Sequence, residues 1–206
     1  MPGASVVYLV RHGESVGNVN PAARRSDDPP LTDRGREQAT RAAAALARIG
    51  IDALFCSPLR RARETADAIA RATGVGAKVV VGFGEVDMGT LSDPATTEER
   101  RERDAIFSAL LAGDRSRAFP QGEDFSAVIR RVQDGLREAV RAGAGAGARI
   151  AIVTHRIPIA AAAELCDPGG ATVSRGACAN GSITTLEPEE GDRWRLVAWG
   201  DARHLA

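Results

Sequence analysis

The chain has 206 residues, 44% of them hydrophobic and 26% charged, which suits one globular domain with a sizeable core. Lys plus Arg and Asp plus Glu both number 27, so the net charge is zero and a broad nucleic-acid or polybasic membrane-binding surface is not expected. The three cysteines, Cys56, Cys166 and Cys178, are scattered and form no CxxC pair; this spacing makes neither a disulfide framework nor a zinc site and points to a reduced, cytoplasmic compartment.

Met1 to Ser5 carries no basic n-region, and the apolar run that follows is broken by Arg11, so neither a signal peptide nor a membrane span is expected. Val6–Val10 is short, apolar and β-branched, and reads as a buried strand. Thr32 caps a helix whose apolar face is Ala39, Ala42, Ala43, Leu46 and Ile49, stopped by Gly50. Ala53–Cys56 is a second strand. Ser57-Pro58 reads as an N-cap with proline at the first helical position, opening a helix to Thr73 that Gly74 ends. Lys78–Val81 is a third strand. A charged helix near Glu98–Leu111 and a turn at Phe119–Gly122 follow, then an amphipathic helix over Asp124–Ala142 with Val128, Val132, Leu136 and Val140 on one face. Arg149–Val153 is a fourth strand, Ile157–Leu165 a helix with Pro158 in its opening turn. Ser182–Leu186 and Trp194–Trp199 read as a hairpin across Glu189–Asp192. The AGAGAGA run, Ala142–Ala148, contains a loose G-x-G-x-x-A from Gly143. It follows a helix and precedes a strand, the reverse of a dinucleotide fingerprint, and reads as a connector.

Strands alternating with helices imply parallel pairing through crossovers, with the last hairpin adding an antiparallel edge. Four stretches then place polar groups just past strand ends: Arg11-His12-Gly13-Glu14, Ser57 to Arg61, Glu85, and Thr154-His155-Arg156. Ligands of open α/β sheets bind at the carboxyl ends of the strands, so these groups are expected to converge. Histidines among arginines fit neither a metal set nor a G-x-S-x-G hydrolase; they suit an anion with several oxygens, such as a phosphoryl group.

LVRHGES, DPPLTDRGREQA, CSPLRRARETA, Glu85 before VDMG, PQGEDFSAVIRRV and IVTHRIPI resemble, in order, the motifs of the histidine phosphatase superfamily, the phosphoglycerate mutase-like group, in its bacterial phosphatase branch. The resemblance implies a single domain over 1–206. Its fold would be a three-layer α/β/α sandwich with a mostly parallel central sheet, an antiparallel edge strand and a small helical cap insertion at about 86–125. It implies His12 as the nucleophile that becomes phosphohistidine and Arg11 as a phosphate ligand. The family arginine falls on Arg61 rather than Arg60, and His155 is the second histidine. Glu85 is the proton donor, with Asp87 its nearest rival, and Asn18 lines the phosphate pocket. Nearby arginines favour a neutral His12, fixed cations stabilise the transferring phosphoryl group, and a positioned Glu85 contributes roughly 10²–10⁴-fold. Helix N-termini near Pro58 and Pro158 add partial positive charge.

The family has glycine after the second histidine; here Arg156 stands there. It points outward, narrows the pocket or holds an acidic group of the substrate, and the last is the reading adopted. No metal or other cofactor is implied. The partner is a small phosphorylated metabolite, with neither nucleic acid nor membrane, and a homodimer is an assembly common in the family. The leading activity is hydrolysis of a small phosphomonoester. A mutase-type phosphotransferase and a catalytically silent phosphate-binding module are the alternatives. Arg60 and Arg63 read as solvated helix residues or ion-pair partners, the Glu98–Arg103 run as a charged helix face, Asp27-Asp28 as loop solvation, His204 as idle, and Trp194 and Trp199 as packing residues.

Overall fold

The computed structural model describes residues 5–20, 23, 27–143, 147–167, 178–190 and 193–206. The central part of the AGAGAGA run and the tip of the Glu189–Asp192 turn lie outside them. Six strands, β1 (Val6–Arg11), β2 (Ala53–Cys56), β3 (Ala77–Val79), β4 (Arg149–Thr154), β5 (Ile183–Pro188) and β6 (Trp194–Asp201), form one sheet in the order β3-β2-β4-β1-β5-β6. β3, β2, β4 and β1 are mutually parallel, and β5 pairs antiparallel with β1 and with the edge strand β6.

The pleat divides the core. On β1 and β4, Val7, Leu9, Ile150 and Ile152 face one layer, while Val10, Ala151 and Val153 face the other. The second layer holds α2 (Asp33–Ile49) and α3 (Arg60–Thr73), whose Ala42, Leu46, Ala62, Ala66 and Ile69 are buried. The first holds α5 (Phe125–Ala142) and α6 (Arg156–Cys166), with α4 (Thr97–Leu111) contributing Ile106 and Leu110. This is the three-layer α/β/α sandwich with a mostly parallel sheet. A short helix, α1 (Val16–Val19), follows β1.

Helix ends follow side-chain chemistry. Thr32 accepts from Gly35 N–H at the start of α2, and Gly50, at φ 74°, closes it in the left-handed conformation glycine adopts without strain. Thr96 and Glu99 form a capping box on α4, and Asp124 caps α5.

Three readings need correction. α3 begins at Arg60, with Leu59 as its N-cap residue, and not at Pro58: Ser57 Oγ accepts the Leu59 N–H but closes only a turn ahead of the helix. Asp28 is not mere loop solvation: both its carboxylate oxygens accept the Arg60 N–H at 2.9 Å, capping α3 from a distant loop. β3 is shorter than expected and ends at Val79, since Val81–Phe83 winds into a 3₁₀ turn.

Candidate active site

The site is built by register. β1 and β4 run parallel and end as partners at Arg11 and Thr154, so the next residue in each strand is a histidine. His12 N–H donates to Thr154 O at 3.0 Å, and the His12 and His155 ring centroids lie 4.9 Å apart. β2 pairs with β4 on the other side, Cys56 opposite Val153, which puts Ser57 beside them. Its Oγ meets His155 Nε2 at 2.7 Å and accepts the Leu59 N–H at 3.2 Å. Three strand ends, spread over more than a hundred residues of chain, thus deliver Arg11-His12, Ser57 and His155 to one place.

His12 is 3% exposed. Its Nδ1 lies 2.7 Å from Gly13 O, and Arg61 Nε donates to its Nε2 at 3.2 Å. A carbonyl only accepts and a guanidinium only donates, so the proton sits on Nδ1 and Nε2 keeps its lone pair. The turn that presents His12 requires glycine. A Cβ on Gly13 would fall 2.2 Å from Gly35 O, and one on Gly35 would fall 1.9 Å from Glu14 O. Backbone packs on backbone there, and Gly13 N–H donates to the buried Thr65 Oγ1 at 3.1 Å. The glycine of RHG and the threonine of SPLRRARET are therefore two halves of one contact.

Arg11, His12, Asn18, Arg61, Glu85 and Arg156 line one cleft of about 170 Å³, completed by Ser15, Gly17, Pro29 and Phe107 of α4. His155 stands behind it, fully buried. The cleft carries three guanidinium groups against one carboxylate. Burial pushes the Arg11 guanidinium below its ordinary pKa, and Arg156 adds to the effect, while Cys178 and Glu85 oppose it. Arg11 Nη1 donates to Cys178 O at 2.5 Å, but its Nε is buried with no hydrogen-bond partner among the described residues. A buried donor left unmade costs about 1–3 kcal/mol, which an entering oxyanion would recover. Asn18 Oδ1 accepts from Ser15 N–H at 3.0 Å and from Asn180 Nδ2 at 3.2 Å. A backbone N–H can only donate, so the amide orientation is fixed and its NH₂ is the end left to donate to a ligand. Arg156 is the first residue of α6, whose N-cap is His155, so that helix begins at the cleft. Arg60 lies outside it, paired with Glu64.

The sequence reading missed Ser57 as a partner of His155, Thr65 as a brace, and Asn180, whose Nδ2 donates to His12 O at 3.0 Å. It also left His204 idle, yet His204 Nε2 lies 2.9 Å from Gly181 O, tying the C-terminal end to the turn beside the site. Among the described residues, no three His, Cys, Asp or Glu side chains are grouped to hold a metal ion.

The fold is thus a mostly parallel α/β sandwich with paired histidines at adjacent strand ends beside an arginine-lined cleft. The chain belongs to the histidine phosphatase superfamily (branch 1), whose pattern it matches over residues 7–202. It is 31% identical to a protein of Escherichia fergusonii named probable phosphoglycerate mutase GpmB, over 97% of this chain and 94% of that one. Bacillus stearothermophilus YhfR superposes with a TM-score of 0.85 at 25% identity, covering 98% and 100% of the two chains. A mycobacterial glucosyl-3-phosphoglycerate phosphatase in complex with VO3 does so with a TM-score of 0.79 at 27% identity, covering 94% and 98%. No helix among the described residues is long and apolar enough to cross a membrane.

Proposed function

We propose that the protein is a phosphatase that hydrolyses a small phosphomonoester through a phosphohistidine on His12. The observation that carries this reading is the Nε2 lone pair of His12, held against Arg61 on the wall of a cleft lined by three guanidinium groups. In the first step Nε2 attacks phosphorus, the ester P–O bond breaks, and the leaving oxygen takes a proton from the Glu85 carboxyl. In the second, the Glu85 carboxylate takes a proton from water, the water oxygen attacks phosphorus, and the P–N bond breaks to free His12 and phosphate. Arg11, Arg61 and the Asn18 amide bind the phosphoryl oxygens throughout, and His155, oriented by Ser57, donates to them.

The mutase reading keeps the support of the GpmB name. Chain length does not separate the two, since that relative is matched over 94% of its length. Turnover does. With EDTA present and no bisphosphorylated primer, p-nitrophenyl phosphate is expected to yield equal amounts of nitrophenol and phosphate. An acid-labile, base-stable phosphoenzyme is expected on quenching. Dependence on a primer with little net phosphate would favour the mutase, and tight phosphate binding without turnover the silent module.

Arg156 supports a finer reading. It lines the cleft as a cation additional to Arg11 and Arg61, and no hydrogen bond or ion pair of its side chain is found among the described residues. We read it as the contact for a second acidic group on the substrate, and the phosphoglycerate-type compounds in the names of two relatives suit it. Phe107 brings the segment between Val86 and Phe125, read as a cap, to the same cleft. Arg156→Gly is expected to lower kcat/KM for 3-phosphoglycerate by about 10- to 100-fold, the worth of one charge-assisted hydrogen bond. p-Nitrophenyl phosphate, which lacks a second anion, should change by less than about 3-fold on the same scale. Equal losses on both substrates would remove the specificity role.

A further inference from the structure

The motif PQGEDFSAVIRRV has no part in the chemistry above, yet two of its residues govern the loop that carries Glu85. Arg131 lies in the second turn of α5 and does not line the cleft. Its guanidinium makes five hydrogen bonds, two to the Glu123 carboxylate and three to loop carbonyls. Nε donates to Glu123 Oε1 at 2.7 Å and Nη2 to Glu123 Oε2 at 2.9 Å, a bidentate pair. Nη1 donates to Gly82 O and to Gly84 O, both at 2.8 Å, and Nη2 reaches Glu85 O at 3.3 Å. One side chain therefore holds three carbonyls, at Glu85 and at two residues just before it.

Glu123 completes the fastening from the other side. Its Oε2 accepts Asp87 N–H at 2.9 Å, and its own N–H donates to Asp87 O at 2.9 Å. Burial raises the Glu123 carboxyl pKa, but the Arg131 guanidinium and the Asp87 N–H outweigh it and hold the group below its ordinary value. The loop also lies tight against α5, since a Cβ on Gly82 would fall 2.9 Å from Arg131 O. Thr154, next to His155, donates through Oγ1 to Phe83 O at 2.7 Å. The Glu85 side chain itself has little restraint of its own: Oε1 accepts only from the adjacent Val86 N–H, at 3.0 Å. Its position in the cleft therefore depends on its backbone, which Arg131 holds directly at Glu85 O and at two carbonyls before it, with Glu123 and Thr154 fastening the flanking residues.

We propose that Arg131, braced by Glu123, is the positioning residue for proton transfer by Glu85. This rests on the reading of Glu85 as the proton donor. A carboxyl that protonates the leaving oxygen must stand within hydrogen-bond reach of it, and a displacement of about 1 Å can cost on the order of 10²-fold. The fastener lies outside the cleft, so its loss spares phosphate binding.

The dependence of kcat/KM on leaving-group acidity separates this role from general stabilisation. In a series from p-nitrophenyl to phenyl phosphate, only the poorer leaving groups need the proton. Arg131→Gln is expected to lower kcat/KM for phenyl phosphate by about 10- to 100-fold, part of what a general acid contributes, and to leave p-nitrophenyl phosphate within about 3-fold. The plot of log kcat/KM against leaving-group pKa steepens, KM for p-nitrophenyl phosphate holds, and Arg131→Lys lies between. Glu123→Gln, which keeps the volume and both loop-facing positions, should steepen the same plot if Arg131→Gln proves too unstable to purify. Parallel losses across the series in both variants would overturn the proposal. Glu85→Gln in the same series tests the underlying reading. If it steepens the plot and the fastener variants do not, positioning alone is wrong; if it leaves the slope unchanged, Glu85 is not the acid.

Discussion

His12→Ala is expected to abolish turnover, with kcat falling by about 10⁴-fold or more, the scale on which enzymes lose rate with their nucleophile. The physical ground is the tautomer. Gly13 O accepts the Nδ1–H and Arg61 Nε–H donates to Nε2, so Nε2 is the unprotonated nitrogen that the proposed mechanism uses to form the P–N bond. Alanine keeps Arg11, Arg156, Glu85 and the helix start in place, and vanadate or phosphate should still bind. The check is a radiolabelled phosphoryl substrate with acid and base quenches, alongside a thermal melt to establish folding. Wild type carries an acid-labile label; His12→Ala carries none. The neighbouring histidine makes this a sharp test, because its ring centroid is only 4.9 Å away. A label that persists in His12→Ala and disappears in His155→Ala would transfer the nucleophile to His155. His155→Ala alone is expected to keep a slowly formed label, with a rate loss of about 10²- to 10³-fold, as for removal of one donor to a developing oxyanion.

Most of the fold was legible because its signals are local. Short continuous apolar, β-branched runs in VVYLV and IAIV, a period near 3.6 in Asp124–Ala142, and caps such as Thr32, Gly50 and Gly74 each need only neighbouring residues. β3 was drawn too long because consecutive valines satisfy a strand pattern whether or not a partner strand exists to pair with them. The strand-end residues were legible for a different reason: a parallel sheet turns a shared strand polarity into convergence, so four short polar stretches could be gathered without any contact being known. What stayed hidden acts across sequence gaps with no periodic trace. Ser57 meets His155 across 98 positions, Asp28 caps Arg60 across 32, and Asn180 supports His12 across 168. Ser57-Pro58 is the instructive case. Its local pattern is a sound helix start, and its hydroxyl does accept the Leu59 N–H while also meeting His155, but the helix itself begins at Arg60, whose N–H the distant Asp28 accepts.

Arg61 should be the most sensitive of the cleft arginines, and the reason lies in how differently it and Arg11 are held. Arg11 has a buried Nε with no hydrogen-bond partner among the described residues, a donor left for an incoming oxygen. Arg61, 6% exposed in the first turn of α3, already touches the attacking atom of His12. On the proposed mechanism it acts twice, aligning the imidazole before the phosphoryl group arrives and neutralising its oxygens as charge spreads in the transition state. Arg61→Met, which keeps length and apolar packing, is expected to cut kcat/KM for p-nitrophenyl phosphate by about 10³-fold or more, the lower end of what a transition-state arginine supplies. Arg61→Lys restores the charge but not the planar Nε–H that meets Nε2, so it should recover only part, remaining about 10²-fold below wild type as for one lost donor. The two variants divide the roles: charge alone brings Lys close to wild type, whereas geometry leaves it near Met. Lys activity close to wild type would show that the contact between Arg61 Nε and His12 Nε2 belongs to the resting enzyme and not to the path of the reaction.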